Sequence, residues 1–279
     1  MIDNHKLGVM QGRLVPKYNG RYQAHPVNYW QDEFFIAASH NLDCIEFILD
    51  YDLFETNPLM SRDGIESIKK YIDLTEVKVK SVCADYFMEK PFHHINNEIV
   101  KQSEIVMCEL IRNCSFLNVT DIVIPCVDSS SLKNEDDFNL FIENTKRIIE
   151  KAEKYNINLN LETDLNPTLF GQFLSEFPSS KISVNYDTGN SASFGFNVIE
   201  EFKSYGHRIT DIHIKDRKLN GGSVMLGEGD VNFKDFFESL KLIKYNNPFI
   251  LQAYRDNEGI NVFKKQLSFF VNQLNKYKI

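Results

Sequence analysis

Along this chain, short apolar runs alternate with longer stretches in which apolar residues recur every three or four positions. The runs predicted to be strands cover residues 7–11, 44–49, 77–87, 122–127, 157–163, 182–187, 209–215 and 249–254. Between them lie helical stripes. Phe138, Phe141, Ile142, Thr145, Ile148, Ile149 and Ala152 form one; Ile105, Val106, Leu110, Ile111 and Cys114 belong to another. A last helix over 262–277 presents Phe263, Leu267, Phe270, Val271 and Leu274. Strands alternating with helices argue for parallel β-α units, and eight such units in 279 residues match an α/β fold, the (β/α)8 barrel. No linker, low-complexity tract or charge block divides the chain, so it reads as one domain over 1–279.

Three consecutive strands break the rule that a parallel strand is apolar on both faces. Their polar residues keep a two-residue phase: Asn158, Asn160, Glu162 and Asp164; Ser183, Asn185 and Asp187; Asp211, His213, Lys215 and Arg217. Leu159, Leu161, Val184, Tyr186, Ile212 and Ile214 fill the positions between. Successive strand side chains point to opposite faces, so one face is apolar and the other carries groups able to hold a metal. In such barrels the chemistry sits at the C-terminal strand ends, where Glu162, Asp187 and His213 fall. Two hard oxygen donors and an imidazole suit one divalent ion, Mn²⁺, Co²⁺, Zn²⁺ or Mg²⁺, with positions left for a substrate. Taken singly, the two acids read equally well as helix caps and the histidine as a satisfied core residue. Three in phase on adjacent strands read as a site.

Composition adds limits rather than direction. A 43% hydrophobic and 25% charged chain has a globular make-up. No apolar run reaches membrane-spanning length, and Met1-Ile2-Asp3-Asn4-His5-Lys6 leads straight into a strand rather than a signal peptide. Cys44, Cys83, Cys108, Cys114 and Cys126 form an odd set without a C-x-x-C pair, as expected of small core residues kept reduced in a cytoplasm. A net charge of −8 argues against a nucleic-acid partner.

The motifs also carry a family resemblance. Leu161-Glu162-Thr163, Asn185-Tyr186-Asp187-Thr188-Gly189-Asn190, Asp211-Ile212-His213-Ile214-Lys215-Asp216 and Gly227-Glu228-Gly229-Asp230-Val231-Asn232-Phe233 closely resemble the xylose isomerase-like TIM-barrel superfamily. Within it the similarity is greatest to sugar-phosphate isomerases and epimerases: hexulose phosphate isomerases, pentulose-5-phosphate 3-epimerases and tagatose 3-epimerase-like enzymes. Gly8-Val9-Met10-Gln11-Gly12-Arg13-Leu14 and Cys83-Ala84-Asp85-Tyr86-Phe87-Met88 resemble the group's first and third strand ends. The resemblance implies that Glu162, Asp187 and His213 are three of four ligands of one divalent ion. It implies that Glu162 moves a proton at the carbon beside a carbonyl, through an enediolate. Lys215 and Arg217 would meet substrate oxygens or a phosphate, and the glycines around Glu228 would let a loop fold over the site.

The fourth ligand departs from the pattern. The family usually ends strand eight with a second glutamate, ligand and opposite-face base; here Pro248-Phe249-Ile250-Leu251-Gln252-Ala253-Tyr254-Arg255 offers Gln252. An amide oxygen can coordinate a hard cation but accepts no proton at neutral pH. Epimerising one carbon normally takes two bases, whereas aldose–ketose isomerisation can run with one, so isomerisation gains. An epimerase would recruit another group, with Asp85, Glu46 and Cys126 as candidates. Glu46 is read as a polar contact at the barrel mouth rather than a buried paired acid. Gln11, Arg13 and Arg255 lie at strand ends within reach of a substrate, Arg13 as a bidentate phosphate partner. Asp85 offers an acceptor beside the aromatic wall of Tyr86 and Phe87. The adjacent His93 and His94 point apart and are read as non-metal residues. Trp30 is a lid or a packing anchor for the first helix.

Three function classes follow: a metal-dependent isomerase or epimerase of a sugar or sugar phosphate; an endonuclease at abasic DNA sites, which would need more strand-end histidines than a set of seven scattered ones supplies; and a non-catalytic sugar-binding or regulatory barrel, suggested only by Gln252. The expected partner is a small-molecule sugar or sugar phosphate, without nucleic acid or membrane and compatible with a homo-oligomer.

Overall fold

In the computed structural model, which describes residues 6–279, each apolar run becomes one stave of a closed sheet. The first seven staves are β1 (Leu7–Met10), β2 (Cys44–Ile48), β3 (Lys78–Cys83), β4 (Asp121–Cys126), β5 (Asn158–Thr163), β6 (Ile182–Asp187) and β7 (Ile209–Ile214). A small antiparallel hairpin, β8 (Asp216–Arg217) with β9 (Ser223–Val224), follows β7, and β10 (Phe249–Leu251) is the eighth stave. Every barrel pair is parallel and β10 closes on β1, giving a (β/α)8 barrel. The segment 1–5, expected to run straight into the first strand, lies outside the described residues.

The helices are α1 (Trp30–Ser39), α2 (Arg62–Thr75), α3 (Tyr86–Glu89), α4 (Asn97–Ser115), α5 (Glu135–Tyr155), α6 (Pro167–Ser175), α7 (Thr188–Phe194), α8 (Val198–Tyr205), α9 (Phe233–Ile243) and α10 (Ile260–Tyr277). Their starts are written locally: the side chains of Asn134, Asn166 and Asn232 accept the backbone N–H three residues on, satisfying a donor the helix leaves free. Trp30 is a packing anchor, with its ring against Phe34, Phe47 and Tyr71. No helix among the described residues is long and apolar enough to cross a membrane.

Three local expectations are corrected. The third strand stops at Cys83 instead of reaching 87, because Ala84 N–H makes a last bond to Val123 O and Phe87 N–H then turns back to Ala84 O as α3 begins. The eighth stave stops at Leu251; Gln252 N–H still bonds Ile214 O, and the chain then leaves the sheet. Ile105 is 67% exposed, since the buried stripe of α4 runs through Val106, Met107, Leu110, Ile111 and Cys114.

The main apolar core lies between sheet and helices, with Leu159, Leu161, Val184, Tyr186, Ile212 and Ile214 in it. Inside the barrel the halves differ. Met10, Cys44, Ile48, Cys83, Val123 and Ile250 form a small apolar plug. Gly8 belongs to this tight half: a Cβ there would lie 2.6 Å from Cys44 Sγ and 2.7 Å from Ile250 Cδ1. On β5, β6 and β7 the inward positions are polar and buried: Asn160, Ser183, Asn185, Asp211 and His213. Asn160 donates to Asp121 and accepts from Ser183 at the lower end of this column, while Asn185 Oδ1 and Asp211 Oδ2 above it have no hydrogen-bond partner.

Candidate metal and substrate site

The top of that polar column is the candidate site. Pairing between β6 and β7 sets Asp187 opposite His213, and Glu162 ends the neighbouring stave. One ligand atom from each of Glu162, Asp187 and His213 lies within 4.8 Å of the others, all three residues being buried. His213 Nδ1 is 3.7 Å from Glu162 Oε2 and 4.0 Å from Asp187 Oδ2. These separations are too long for direct hydrogen bonds and suit atoms sharing one ion at about 2.0–2.2 Å each. Asp187 Oδ2 makes no aligned hydrogen bond, although the Lys215 ammonium stands 2.6 Å away. That ammonium already balances the buried carboxylate, and the two acid oxygens with one imidazole form a donor set that fits a hard or borderline divalent ion.

Neighbouring elements hold these candidate ligands in place. Asn190 Nδ2 donates to Glu162 Oε1 at 2.6 Å, and Asn185 Nδ2 approaches Glu162 Oε2 at 3.2 Å. Burial lifts the Glu162 carboxyl to about 7, the Asp187 charge adds to the rise, and His213 and Lys215 oppose it. A carboxyl set there is placed for proton transfer near neutral pH. Asp187 Oδ1 accepts the Asn190 N–H and caps α7, so the acid is a helix cap and a member of the cluster at once. Lys215 Nζ also donates to Gln252 Oε1 at 2.9 Å, and Gln252 Nε2 donates to Gln23 Oε1 at 3.1 Å. The Gln252 oxygen therefore faces the cationic side. Arg217 ties the hairpin to the site, with Nη1 on Asn190 Oδ1 and Nε on Gly221 O.

Above the cluster is a cavity of about 220 Å³ whose walls are strand ends and the loops after them, among them Arg13, Gln23, Asp85, Asp128, Glu162, Asn190, Lys215, Arg217 and Gln252. A larger hollow of about 680 Å³ opens at the other end of the barrel beside Asp43, Glu76 and Lys78. Neither this cluster nor the second carboxylate–imidazole group among the described residues, Glu46, Asp211 and His213, borders it. Glu162 of the cluster borders the smaller cavity.

The remaining predicted residues divide. Asp85 lines the cavity and accepts from Gln23 Nε2 at 2.9 Å and Cys83 Sγ at 3.2 Å. Arg13 lines it too, but its guanidinium is spent on Ala253 O, Tyr22 O and Gln23 Oε1, away from the bidentate role expected of it. Arg255 faces the backbone, donating to Gly12 O, Val15 O, Asp256 O and Asn257 O, and does not border the cavity. Gln11, fully buried, accepts from His25 and the Ile48 N–H and lies outside the lining. Glu46 corrects its expectation: it is a fully buried paired acid inside the barrel, not a contact at the mouth. Asn190 and Gln23 were not foreseen as site residues. Asn190 could have been found from its place three residues after Asp187, in the first turn of a helix that starts at the strand end. Gln23 sits in a loop and carried no such signal.

Comparisons agree with this architecture. The sequence profile of the xylose isomerase-like TIM barrel family matches residues 34–273. The SgbU protein of Escherichia coli (strain K12) is 23% identical over 274 residues, 91% of this chain and 90% of that protein. The L-ribulose-5-phosphate 3-epimerase UlaE of Shigella flexneri serotype 5b is 22% identical over 242 residues, 81% of this chain and 83% of the relative. Among solved structures, the IOLI protein with a binding zinc atom superposes with a TM-score of 0.77 at 15% identity, covering 98% of this chain and 99% of that one. With the profile spanning most of the chain and the barrel closed as described, the protein belongs to the xylose isomerase-like TIM barrel family.

Proposed function

We propose that this chain is a divalent-metal-dependent isomerase or epimerase of a ketose or ketose phosphate, with Glu162 as the proton-transferring base. The observation that carries the reading is the convergence of Glu162, Asp187 and His213 beneath a cavity walled by polar strand ends. Those three residues would hold the ion, with Gln252 presenting an oxygen on the same side. The bound ion would supply Lewis-acid polarisation of the carbonyl and hydroxyl oxygens of an open-chain sugar. Glu162, fixed by Asn190 and lifted to about 7, takes the proton from the carbon beside the carbonyl and returns it. Lys215 and Arg217 line the cavity as donors for the substrate's oxygens or phosphate.

One-base isomerisation is favoured because Gln252 accepts no proton. The 3-epimerase reading has one specific support besides the printed activity of the UlaE relative: Asp85 borders the same cavity as Glu162 and could serve the opposite face. Glu46 and Cys126 do not border that cavity, and burial pushes the Cys126 thiol well up. Mn²⁺, Zn²⁺, Co²⁺ and Mg²⁺ all suit the donor set.

The test is incubation with a panel of ketoses and ketose phosphates in D2O, following deuterium uptake by NMR. Label entering adjacent carbons supports isomerisation, and label with inversion at one carbon supports epimerisation. Glu162→Gln should abolish uptake while circular dichroism stays that of the parent. Undiminished turnover in that variant removes the role given to Glu162, and a metal-loaded protein that labels nothing while binding sugars supports the non-catalytic barrel instead.

A further inference from the structure

His213 has one ring nitrogen turned to the candidate ion site and one turned away, and the groups around it decide which is which. We infer that Glu46 is a positioning residue for this site: by accepting the Nε2 proton of His213 it leaves the Nδ1 lone pair facing Glu162 and Asp187. The inference rests on the ion-binding reading above and assigns how its nitrogen donor is oriented.

Glu46 Oε1 lies 2.7 Å from His213 Nε2, and both side chains have no exposed surface. Once ionised, the Glu46 carboxylate only accepts, and the shared hydrogen then belongs to the ring. Ser81 Oγ donates to Glu46 Oε2 at 2.5 Å, which fixes the other oxygen and the plane of the carboxylate. On the far side Asn185 Nδ2 is 2.9 Å from Nδ1 and 3.4 Å from Nε2. A donor on the in-plane lone pair of Nδ1 would stand much farther from Nε2. Those near-equal distances put the amide over the ring face, an N–H···π contact that leaves the lone pair open.

Two register shifts set this geometry. β3 carries one extra residue, Lys80, between the partners of Ile45 and Glu46, which brings Ser81 opposite Glu46. β7 carries one extra residue, Thr210, between the partners of Val184 and Asn185, which sets Asp211 opposite Asn185 and His213 opposite Asp187. A one-residue slip exchanges the faces of a strand, so each bulge decides which side chains meet inside the barrel. Glu46 does not border the cavity, so its influence reaches the substrate only through the histidine.

The test uses the full chain, freed of metal by chelation and labelled with ¹⁵N-histidine. In the wild type, NMR should place the His213 hydrogen on Nε2, with the Nδ1 resonance moving on addition of Zn²⁺. Glu46→Leu, which keeps bulk and removes the acceptor, should lose the tautomer preference and weaken Zn²⁺ binding about 10–100-fold. Glu46→Gln, whose amide oxygen still accepts, should keep the Nε2 hydrogen and lose less. Zn²⁺ bound by wild type with Nδ1 protonated overturns the inference, as does Glu46→Leu binding Zn²⁺ like the parent. Failure of wild type to bind any divalent ion overturns the ion-binding reading itself. Should Glu46→Leu not fold, the wild-type tautomer and the Glu46→Gln affinity decide.

Discussion

Gln252 follows the eighth stave with its oxygen on Lys215 Nζ and its amide nitrogen on Gln23, so it meets the ammonium that pairs with Asp187 as a neutral group. A carboxylate at that position would add a full charge beside Asp187 and Glu162. Gln252→Glu is therefore expected to tighten Mn²⁺ binding about tenfold, about 1.4 kcal/mol, with Lys215 moderating the added charge. Titration calorimetry measures this, and an unchanged affinity would place residue 252 outside the ion's reach. The same variant should gain inversion at a single carbon in the D2O assay if a second base is what the chain lacks. At this scale the clustered side chains were legible and their supports were not. Glu162, Asp187 and His213 could be read from their phase because strand periodicity is local. Glu46 could not, because its partner His213 lies 167 positions away and its direction depends on a bulge in another strand.

The segment after β7 shows how one element is built around a single acid. Asp216 Oδ2 accepts from Gly227 N at 2.8 Å and Gly229 N at 3.0 Å, and Oδ1 accepts from Val231 N at 3.2 Å. Gly229 is required there: a Cβ would lie 1.9 Å from Asp216 Oδ1. These glycines fasten the loop to the strand end, and Ser223 of the hairpin, not Glu228, borders the cavity. Removing the acid strands three backbone donors. Asp216→Ala should cost about 2–4 kcal/mol in urea unfolding and speed hydrogen exchange at the Gly227 and Gly229 amides. Unaltered exchange would show that the loop is held by something else. Gly227-Glu228-Gly229 was legible as a loop with special backbone needs, but its anchor was hidden because a hydrogen-bond acceptor cannot be assigned from spacing alone.

Across the whole molecule, burial places several acids where they resist ionising. Desolvation lifts Glu162 and Glu46 to about 7 and Glu33, which accepts the Gly12 and Leu14 N–H groups behind the first stave, to about 8. Their folded values exceed their unfolded ones, so the folded state binds more protons through this range. The associated stability is present at acid pH and lost as pH rises through about 7–8. Metal-free protein should accordingly melt lower at pH 8.5 than at pH 6 by scanning calorimetry, and Glu33→Gln should shrink the difference; a melting point that climbs over this window would contradict the account. Divalent ion at 100 times its dissociation constant should add about 2.7 kcal/mol, most visibly at the higher pH. The sequence by itself determined the barrel, because alternating strand and helix periods are local consequences of backbone geometry and eight such units close a parallel sheet on itself. It also singled out Glu162, Asp187 and His213 as the candidate triad, whose polar phase interrupts an otherwise apolar interior. Tertiary structure alone decided which groups stand behind the ligands, since the two extra residues in β3 and β7 set the cross-barrel register. It likewise turned Arg255 and Gln11 away from the cavity, because backbone carbonyls and N–H groups that meet only in the closed barrel claimed their side chains first.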